Sequence, residues 1–217
     1  IGTEKQRLNE KMAKECDTIV AGLYEYLAIY EPLFPKKTEF IPFPIVCDDD
    51  TPTIEFHKDG EPIKIFIGIN KSRSAYKGTD IMLKAAKEVE SKYPDKLKLT
   101  VVESVPFDEY RKMMMSCDAI VDQLYSYTPS MNPLEAMSHG LICIGGGEPE
   151  NYEVLNETEL RPIVNVEPTF KSVYSQIENM VLHPENISTM QRQSIEYIRK
   201  HHDYIKVAKQ YEKLYMK

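Results

Sequence analysis

The stretch DAIVDQLYSYTPSMNPLEAMSHGLICIGGG, residues 118–147, decides the fold class. Its first seven residues, Asp118 to Leu124, read as a strand built around the apolar Ala119, Ile120 and Val121. An irregular polar loop follows. NPLEAMSHG then predicts a helix with Pro133 in its first turn and Gly140 at its end, and Leu141–Gly147 predicts a second strand running into a glycine turn. Two strands joined through a helix must lie parallel, because the crossover returns the chain to the same end of the sheet.

The same alternation extends on both sides. Upstream, IKIFIG (Ile63 to Gly68) reads as a buried strand. KGTDIMLKAAKEVESKY places Met82, Ala85, Ala86, Val89 and Tyr93 on one helical face, with Thr79 or Asp80 as the expected cap. KLTVV is a strand and FDEYRKMMMS a short helix; downstream, PIVNV is a last strand before three helices. In the first of these Phe170, Val173, Ile177 and Met180 keep a helical period; in the last Ile205, Ala208, Tyr211 and Tyr215 do so. The expected class is α/β, a doubly wound parallel sheet, Rossmann-like, with helices on both faces. Ligands of such sheets bind at the carboxyl ends of the strands, which directs attention to the loops after Gly68, Val102, Leu124 and Ile144.

Before residue 63 the pattern is weaker. A charged helix to about Ala13 is followed by CDTIVAGLYEYLAIY, a short strand and a helical stretch; Pro32, Pro35, Pro42, Pro44 and Pro52 are expected to break any regular element. The resulting organisation is 1–45 as one segment, 46–62 as a linker, 63–200 as the main domain and 201–217 as a C-terminal helix. The chain does not begin with Met and opens on what reads as mid-helix, so a fragment of a longer protein is the expectation.

With 217 residues, 42% hydrophobic and 28% charged, the chain has ample capacity for a core, which excludes disorder, collagen and coiled coil. No apolar run reaches the ~18 residues that would cross a bilayer, and IGTEKQRLNEKM is too charged for a signal peptide. A net charge of −7 argues against a sequence-blind nucleic-acid binder. Cys16, Cys47, Cys117 and Cys143 lie far apart with no CxxC pair, which reads as four packed thiols in a reducing cytosol. A cytoplasmic location, extending to the inner face of the membrane, is expected.

Two loops carry the chemistry. GINKSRSAYKG sets Lys71, Arg73 and Lys77 between a strand ending in Gly68 and a helix start, which makes an anion site; the alternative is a set of ordinary solvated cations. It is neither a Walker A loop nor a GxGxxG turn. In YSYTPSMNPLEAMSHG, Glu135 lies about two residues inside a helix, where it is either a helix-dipole partner or a carboxylate accepting two sugar hydroxyls while helix amides take a phosphate. Other clusters read as structural: His201 and His202 face different ways and lack a third ligand, Met113, Met114 and Met115 fill core, and Asp48, Asp49 and Asp50 are a solvated linker. Gly145, Gly146 and Gly147 make either a tight turn or a close approach to a sugar hydroxyl.

The ordered set KIFIG, KG opening a helix, CDAIVDQL, NPLEAMSHG, then a strand and GGEPE resembles the nucleotide-sugar-binding half of family 4 glycosyltransferases with the GT-B fold, over residues 63–217. LEAM-x-x-G is the most specific of these motifs. CDTIVAG through FIPFPIV resembles the end of that family's N-terminal acceptor domain. The resemblance implies transfer of a sugar from a nucleoside-diphosphate sugar to a carbohydrate or glycolipid hydroxyl, with retention, without an essential metal or cofactor, and together with an N-terminal domain absent here. It gives Lys77 and Arg73 the departing diphosphate and Glu135 the ribose, and sets the amides of Leu134 and Glu135 on phosphate. Gly68, Asn132, Pro133, Tyr127, Met131 and Glu103 complete the donor surroundings.

Three departures accompany it. Ile69 stands where the family has Arg, leaving Arg73 as the substitute; Tyr127 stands where the family has the first Glu of its E-x7-E pair; and the span from Lys77 to Glu135 is short, as if one strand and helix were lost near KLTVVESVP, around Val102, Glu103 and Ser104. Rival readings are a GT-B epimerase or phosphorylase, a donor-binding pseudoenzyme, and a receiver-like signalling module. IKIFIG disfavours the last because it ends in Gly where a receiver needs acidic residues.

Overall fold

The computed structural model describes residues 3–216. The N-terminal segment forms helix α1 (Glu4–Glu15), strand β1 (Ile19–Ala21), helix α2 (Tyr24–Tyr30) and strand β2 (Thr38–Phe40). Thr3 starts α1 because its side chain accepts the Gln6 amide, satisfying one of the N–H groups a helix start leaves free. β1 and β2 pair in parallel, Val20 opposite Glu39. The prolines therefore do not exclude all regular structure: β2 fits between Pro35 and Pro42, where its three residues keep every N–H.

Residues 46–62 have no helix or strand, yet they are not a free tether. The Ile54 amide donates to the His139 carbonyl at 2.9 Å, the His57 amide donates to Gln191 Oε1 at 2.8 Å, and Ile54 and His57 are both buried. A single parallel bridge, Ile45 with Asp203, ties the start of this segment to the far end of the chain.

The main sheet follows. Strand β3 (Ile63–Ile69) leads through a 3₁₀ turn and the short helix α3 (Ser74–Lys77) to α4 (Thr79–Lys92) and β4 (Leu97–Glu103). Then come α5 (Phe107–Met114), β5 (Ala119–Val121), α6 (Met131–Ser138), β6 (Ile142–Gly145), α7 (Pro149–Val154) and β7 (Val164–Asn165). Helices α8 (Phe170–Leu182), α9 (Ile187–His201) and α10 (Tyr204–Tyr215) close the chain. The five strands order as β4-β3-β5-β6-β7, all parallel, with Phe66 opposite both Thr100 and Ile120. This is the doubly wound α/β architecture expected.

Alternate side chains of β3 point to opposite faces. Ile63, Ile65 and Ile67 pack with Met82, Ala85, Ala86 and Val89 of α4 and with Val173, Ile177 and Met180 of α8. Phe66 faces the other way, into Ile120, Met114, Cys117, Ala136 and Leu141. Burying each large apolar side chain contributes roughly 1.5–3 kcal/mol, so both faces stabilise the sheet.

Two local expectations change. α4 is preceded by Gly78 at φ 69°, not capped by the Thr79 or Asp80 side chain; the chain reverses out of α3 through a left-handed residue, which glycine adopts without strain. In α10 the residue that is fully buried is Val207, whereas Ile205, Ala208 and Tyr215 are exposed. Asp203 sets that rotation. It accepts the Ile205 and Lys206 amides at 3.0 Å each while bridging Ile45, and this turns Val207 inward.

The cysteines are unpaired, as the spacing implied, with three of the four buried. His201 Nε2 faces the buried Glu157 carboxylate, and His202 Nδ1 lies 2.9 Å from the Phe43 carbonyl. Among the described residues no three His, Cys, Asp or Glu side chains gather as a metal site, and no helix is long and apolar enough to cross a membrane.

Candidate functional site

Strand order reverses between β3, whose chain moves outward to β4, and β5, which starts the other half of the sheet. Backbones diverge there and leave a crevice beyond the carboxyl ends of both strands. A cleft of 270 Å³ occupies it, lined by Gly68, Asn70, Lys77, Asp122, Ser130 and Asn132 among others. Tyr110 of α5 lies across Gly68: a Cβ at residue 68 would sit 2.8 Å from the Tyr110 hydroxyl, so only glycine lets that ring close down. The Tyr110 ring meets Phe66 edge-on at 4.8 Å, and its hydroxyl accepts the Asn132 side-chain amide at 2.8 Å.

Asp122 follows the last residue of β5 and is almost completely buried. It accepts the Ser130 amide at 2.9 Å and the Ser130 hydroxyl at 2.8 Å, which fixes the residue that starts α6. Burial pushes the Asp122 carboxyl up, and the Ser130 bonds with the positive charge of Lys77 oppose that shift. A buried acid and a cation thus share the cleft. The acid orients the helix start; the cation is what an incoming anion would meet.

At that helix start the first free amides are those of Met131 and Asn132, at positions where an α-helix has no internal acceptor. Pro133 has no N–H, and the Leu134 amide already donates to the Ser130 carbonyl at 3.1 Å. Glu135 is the fifth residue of the helix, beyond the free turn. The amides expected to face a phosphate, Leu134 and Glu135, are therefore replaced in that position by Met131 and Asn132. The sequence placed the helix start one residue late.

Glu135 faces a second, larger cavity of 740 Å³ that shares Asn132 with the first and is also lined by Phe107, Arg111, Met131 and His139. Asp48 and Asp50 of the linker form its far wall. The Glu135 carboxylate lies 3.8 Å from Arg111 Nε, and Arg111 Nη2 lies 3.4 Å from His139 Nε2, whose other ring nitrogen meets the Pro52 carbonyl. Arg111 therefore holds the carboxylate from one side and leaves its remaining lone pairs toward the cavity.

Of the residues singled out by sequence, the structure brings Gly68, Lys77 and Asn132 into the smaller cleft and Met131, Asn132 and Glu135 into the larger one. Pro133 and Leu134 are buried behind them. Arg73 is exposed and outside the lining of either cavity, and Glu103 is exposed at the end of β4, opposite Ile69. Tyr127 is half-exposed, its ring 5.5 Å from that of Tyr24. Its backbone amide donates not to its own loop but to Glu25 of α2 at 2.6 Å.

Four residues escaped the sequence reading: Glu25, Tyr110, Arg111 and Asp122. For Asp122 a signal existed, an acid at the carboxyl end of an apolar strand. Arg111 and Tyr110 sit on an amphipathic helix with nothing local to mark them, and Glu25 lies a hundred positions from its partners.

No protein-family model matches the chain, and no curated protein matches it in sequence. Solved structures do match in shape. Sucrose-phosphate synthase from Thermosynechococcus elongatus superposes with a TM-score of 0.68 at 14% identity, covering 100% of this chain and 63% of the synthase. HepE of Anabaena, solved with UDP and glucose, gives 0.68 at 12% identity, covering 99% of this chain and 68% of HepE. The pneumococcal O-GlcNAc transferase GtfA, solved with UDP and GlcNAc, gives 0.64 at 13% identity, with 97% of this chain and 46% of GtfA covered. The chain thus spans about half to two thirds of the length of these neighbours. Its fold is that of the Rossmann-like half of GT-B glycosyltransferases.

Proposed function

We propose that this chain is the donor-binding half of a glycosyltransferase that moves a sugar from a nucleoside-diphosphate sugar to an acceptor hydroxyl. What carries the reading is the pair of cavities joined at Asn132: one offers Lys77 and the free amides of a helix start, the other a carboxylate beside an arginine. A diphosphate suits the first, because the helix dipole and the ammonium both favour negative charge. A ribose diol suits the second, because Glu135 can accept two hydroxyl protons there and Arg111 stands 3.8 Å to one side of it. Neighbours of the same fold solved with UDP, glucose or GlcNAc support a UDP-sugar as the donor.

As the bond between sugar and diphosphate breaks, charge grows on the leaving phosphate. Lys77 and the amides of Met131 and Asn132 stabilise that charge in place, with no need to reorganise water. Arg73, exposed on the turn before α3, is the second cation assigned to the departing group. Membership of family 4, hexosyl transfer, retention and independence from a divalent metal complete the proposal and rest on LEAM-x-x-G and its companion motifs; a cytoplasmic location joins them on the pattern of separated, unpaired cysteines. Recognition of a carbohydrate or glycolipid acceptor belongs to a further lobe.

Calorimetry with UDP and with uridine tests the assignment. A charged hydrogen bond contributes roughly 1.5–3 kcal/mol, so Lys77→Ala is expected to weaken UDP by about ten- to a hundredfold and uridine hardly at all. Glu135→Ala is expected to weaken both. If both variants fold and bind UDP within twofold of the parent, the two residues are a solvated cation and a helix-surface acid, and the site assignment fails.

A further inference from the structure

The loop between β5 and α6 carries Ser130, the cleft residue that starts α6, and it is gripped from three directions. Asp122 holds its end through Ser130. Gly146 lies under its middle, so close that a Cβ there would come within 2.0 Å of the Ser126 carbonyl oxygen, and the Glu148 amide donates to the Tyr127 carbonyl at 3.3 Å. The third grip comes from the N-terminal segment. Glu25, in the first turn of α2, accepts the amides of Tyr127 and Thr128 on one oxygen at 2.6 and 3.1 Å, and the Thr128 hydroxyl on the other at 2.6 Å. The Ser126 hydroxyl lies 2.7 Å from the first oxygen and 2.6 Å from the Thr128 carbonyl, so its single proton serves one of the two.

Two successive backbone amides and a hydroxyl converging on one point make a concave anion nest. Here it is filled from within the molecule. Burial alone would push the Glu25 carboxyl up; the bonds from Thr128, Ser126 and the Tyr127 amide outweigh it and leave the group below its usual value, hence ionised. Beside it the Tyr24 and Tyr127 rings stack at a tilt, adding an apolar contact between the same two segments.

We propose that Glu25 is a positioning residue for the donor site: α2 delivers its carboxylate into residues 126–128, holds the loop that presents Ser130 and α6 to the cleft, and closes the nest against the donor's phosphates. The inference rests on the donor-binding reading above. It places one determinant of donor affinity on the N-terminal segment, about a hundred residues before the loop it holds. Without Glu25 the loop amides at 127 and 128 return to water or compete for phosphate, and the register of the start of α6 loosens.

Hydrogen exchange on the unliganded chain and calorimetry with UDP test this together. Glu25→Ala is expected to speed amide exchange over 126–128 at least tenfold while β3 and β5 stay protected, and to weaken UDP three- to tenfold. Glu25→Gln, which keeps one acceptor oxygen, is expected to recover part of both. Thr128→Val removes one partner, and adding it to Glu25→Ala should change UDP affinity no further, because the bond it breaks is already gone. Unchanged exchange with unchanged UDP affinity in Glu25→Ala, or full additivity with Thr128→Val, overturns the positioning role. Should Glu25→Ala fail to fold, Glu25→Gln and Thr128→Val carry the same comparison. Lack of UDP binding by the unaltered chain overturns the donor reading and this inference with it, whereas normal binding with an inert Glu25 overturns the inference alone.

Discussion

Single residues in this chain are governed by what surrounds them more than by their type. Two acids make the point: the nearly fully buried Asp122 is pushed up by burial, while the half-buried Glu25 is held down by the hydrogen bonds it accepts. His202 is a third case. It is fully enclosed, with one ring nitrogen 2.9 Å from the Phe43 carbonyl and the other buried without a partner, and burial lowers it from 6.5 to about 4. As pH falls, the unfolded chain takes up this proton near 6.5 and the folded chain only near 4. Stability from this group is therefore complete above about pH 6.5 and declines between 6.5 and 4, by about 3 kcal/mol in all. Urea unfolding of the parent and of His202→Asn, which keeps a donor for Phe43 but does not titrate, is expected to show a flatter pH dependence in the variant. Parallel curves would show that His202 is not responsible.

At the scale of elements, the turn after β6 and the loop after β5 act as one unit. Gly145, Gly146 and Gly147 look interchangeable in sequence, but a Cβ at 146 would meet the Ser126 backbone at 2.0 Å, whereas at 145 the nearest atom is the Asp122 Cβ at 3.2 Å. Backbone cannot yield as a flexible side chain can. Gly146→Ala is thus expected to cost about 1–3 kcal/mol by overpacking and to weaken UDP, since the displaced loop carries Ser130; Gly145→Ala should cost less. Denaturant unfolding and calorimetry on the two variants check the order. The start of α6 was legible from NPLEAMSHG, but its first free amides were misplaced by a few positions, because Ser130 is recruited as the cap by Asp122 and nothing within the loop reveals that. Likewise the apolar stripe of α10 was periodic, and the side it buries was decided by the Asp203 bridge to Ile45.

For the whole molecule, a ligand seated at the switch point adds to stability by mass action. At a hundredfold excess over its dissociation constant UDP should contribute about 2.7 kcal/mol, a rise in melting temperature of roughly 5–11 °C for a chain of this size. On the proposed reading the positive field comes from Lys77 and the start of α6, so the rise is expected to survive a chelator. A shift seen only with added Mg²⁺ would refute that part of the proposal. By itself the sequence determined the class of fold and pointed to the carboxyl ends of the strands as the place to look for a site: alternation of apolar runs with helical periods is a local property, and the parallel crossover follows from chain geometry. It also singled out Gly68, Lys77 and Glu135 as candidates, and these line the two cavities, because strand ends and helix starts are visible as turns, cations and acids in order. Only the tertiary structure decided that Glu135 faces a separate cavity beside Arg111, that Arg73 stands outside both cavities, that Tyr110 lines the smaller one, and that Glu25 holds the loop before α6. Those contacts join residues far apart in the chain, and their energies depend on distances that no local pattern encodes.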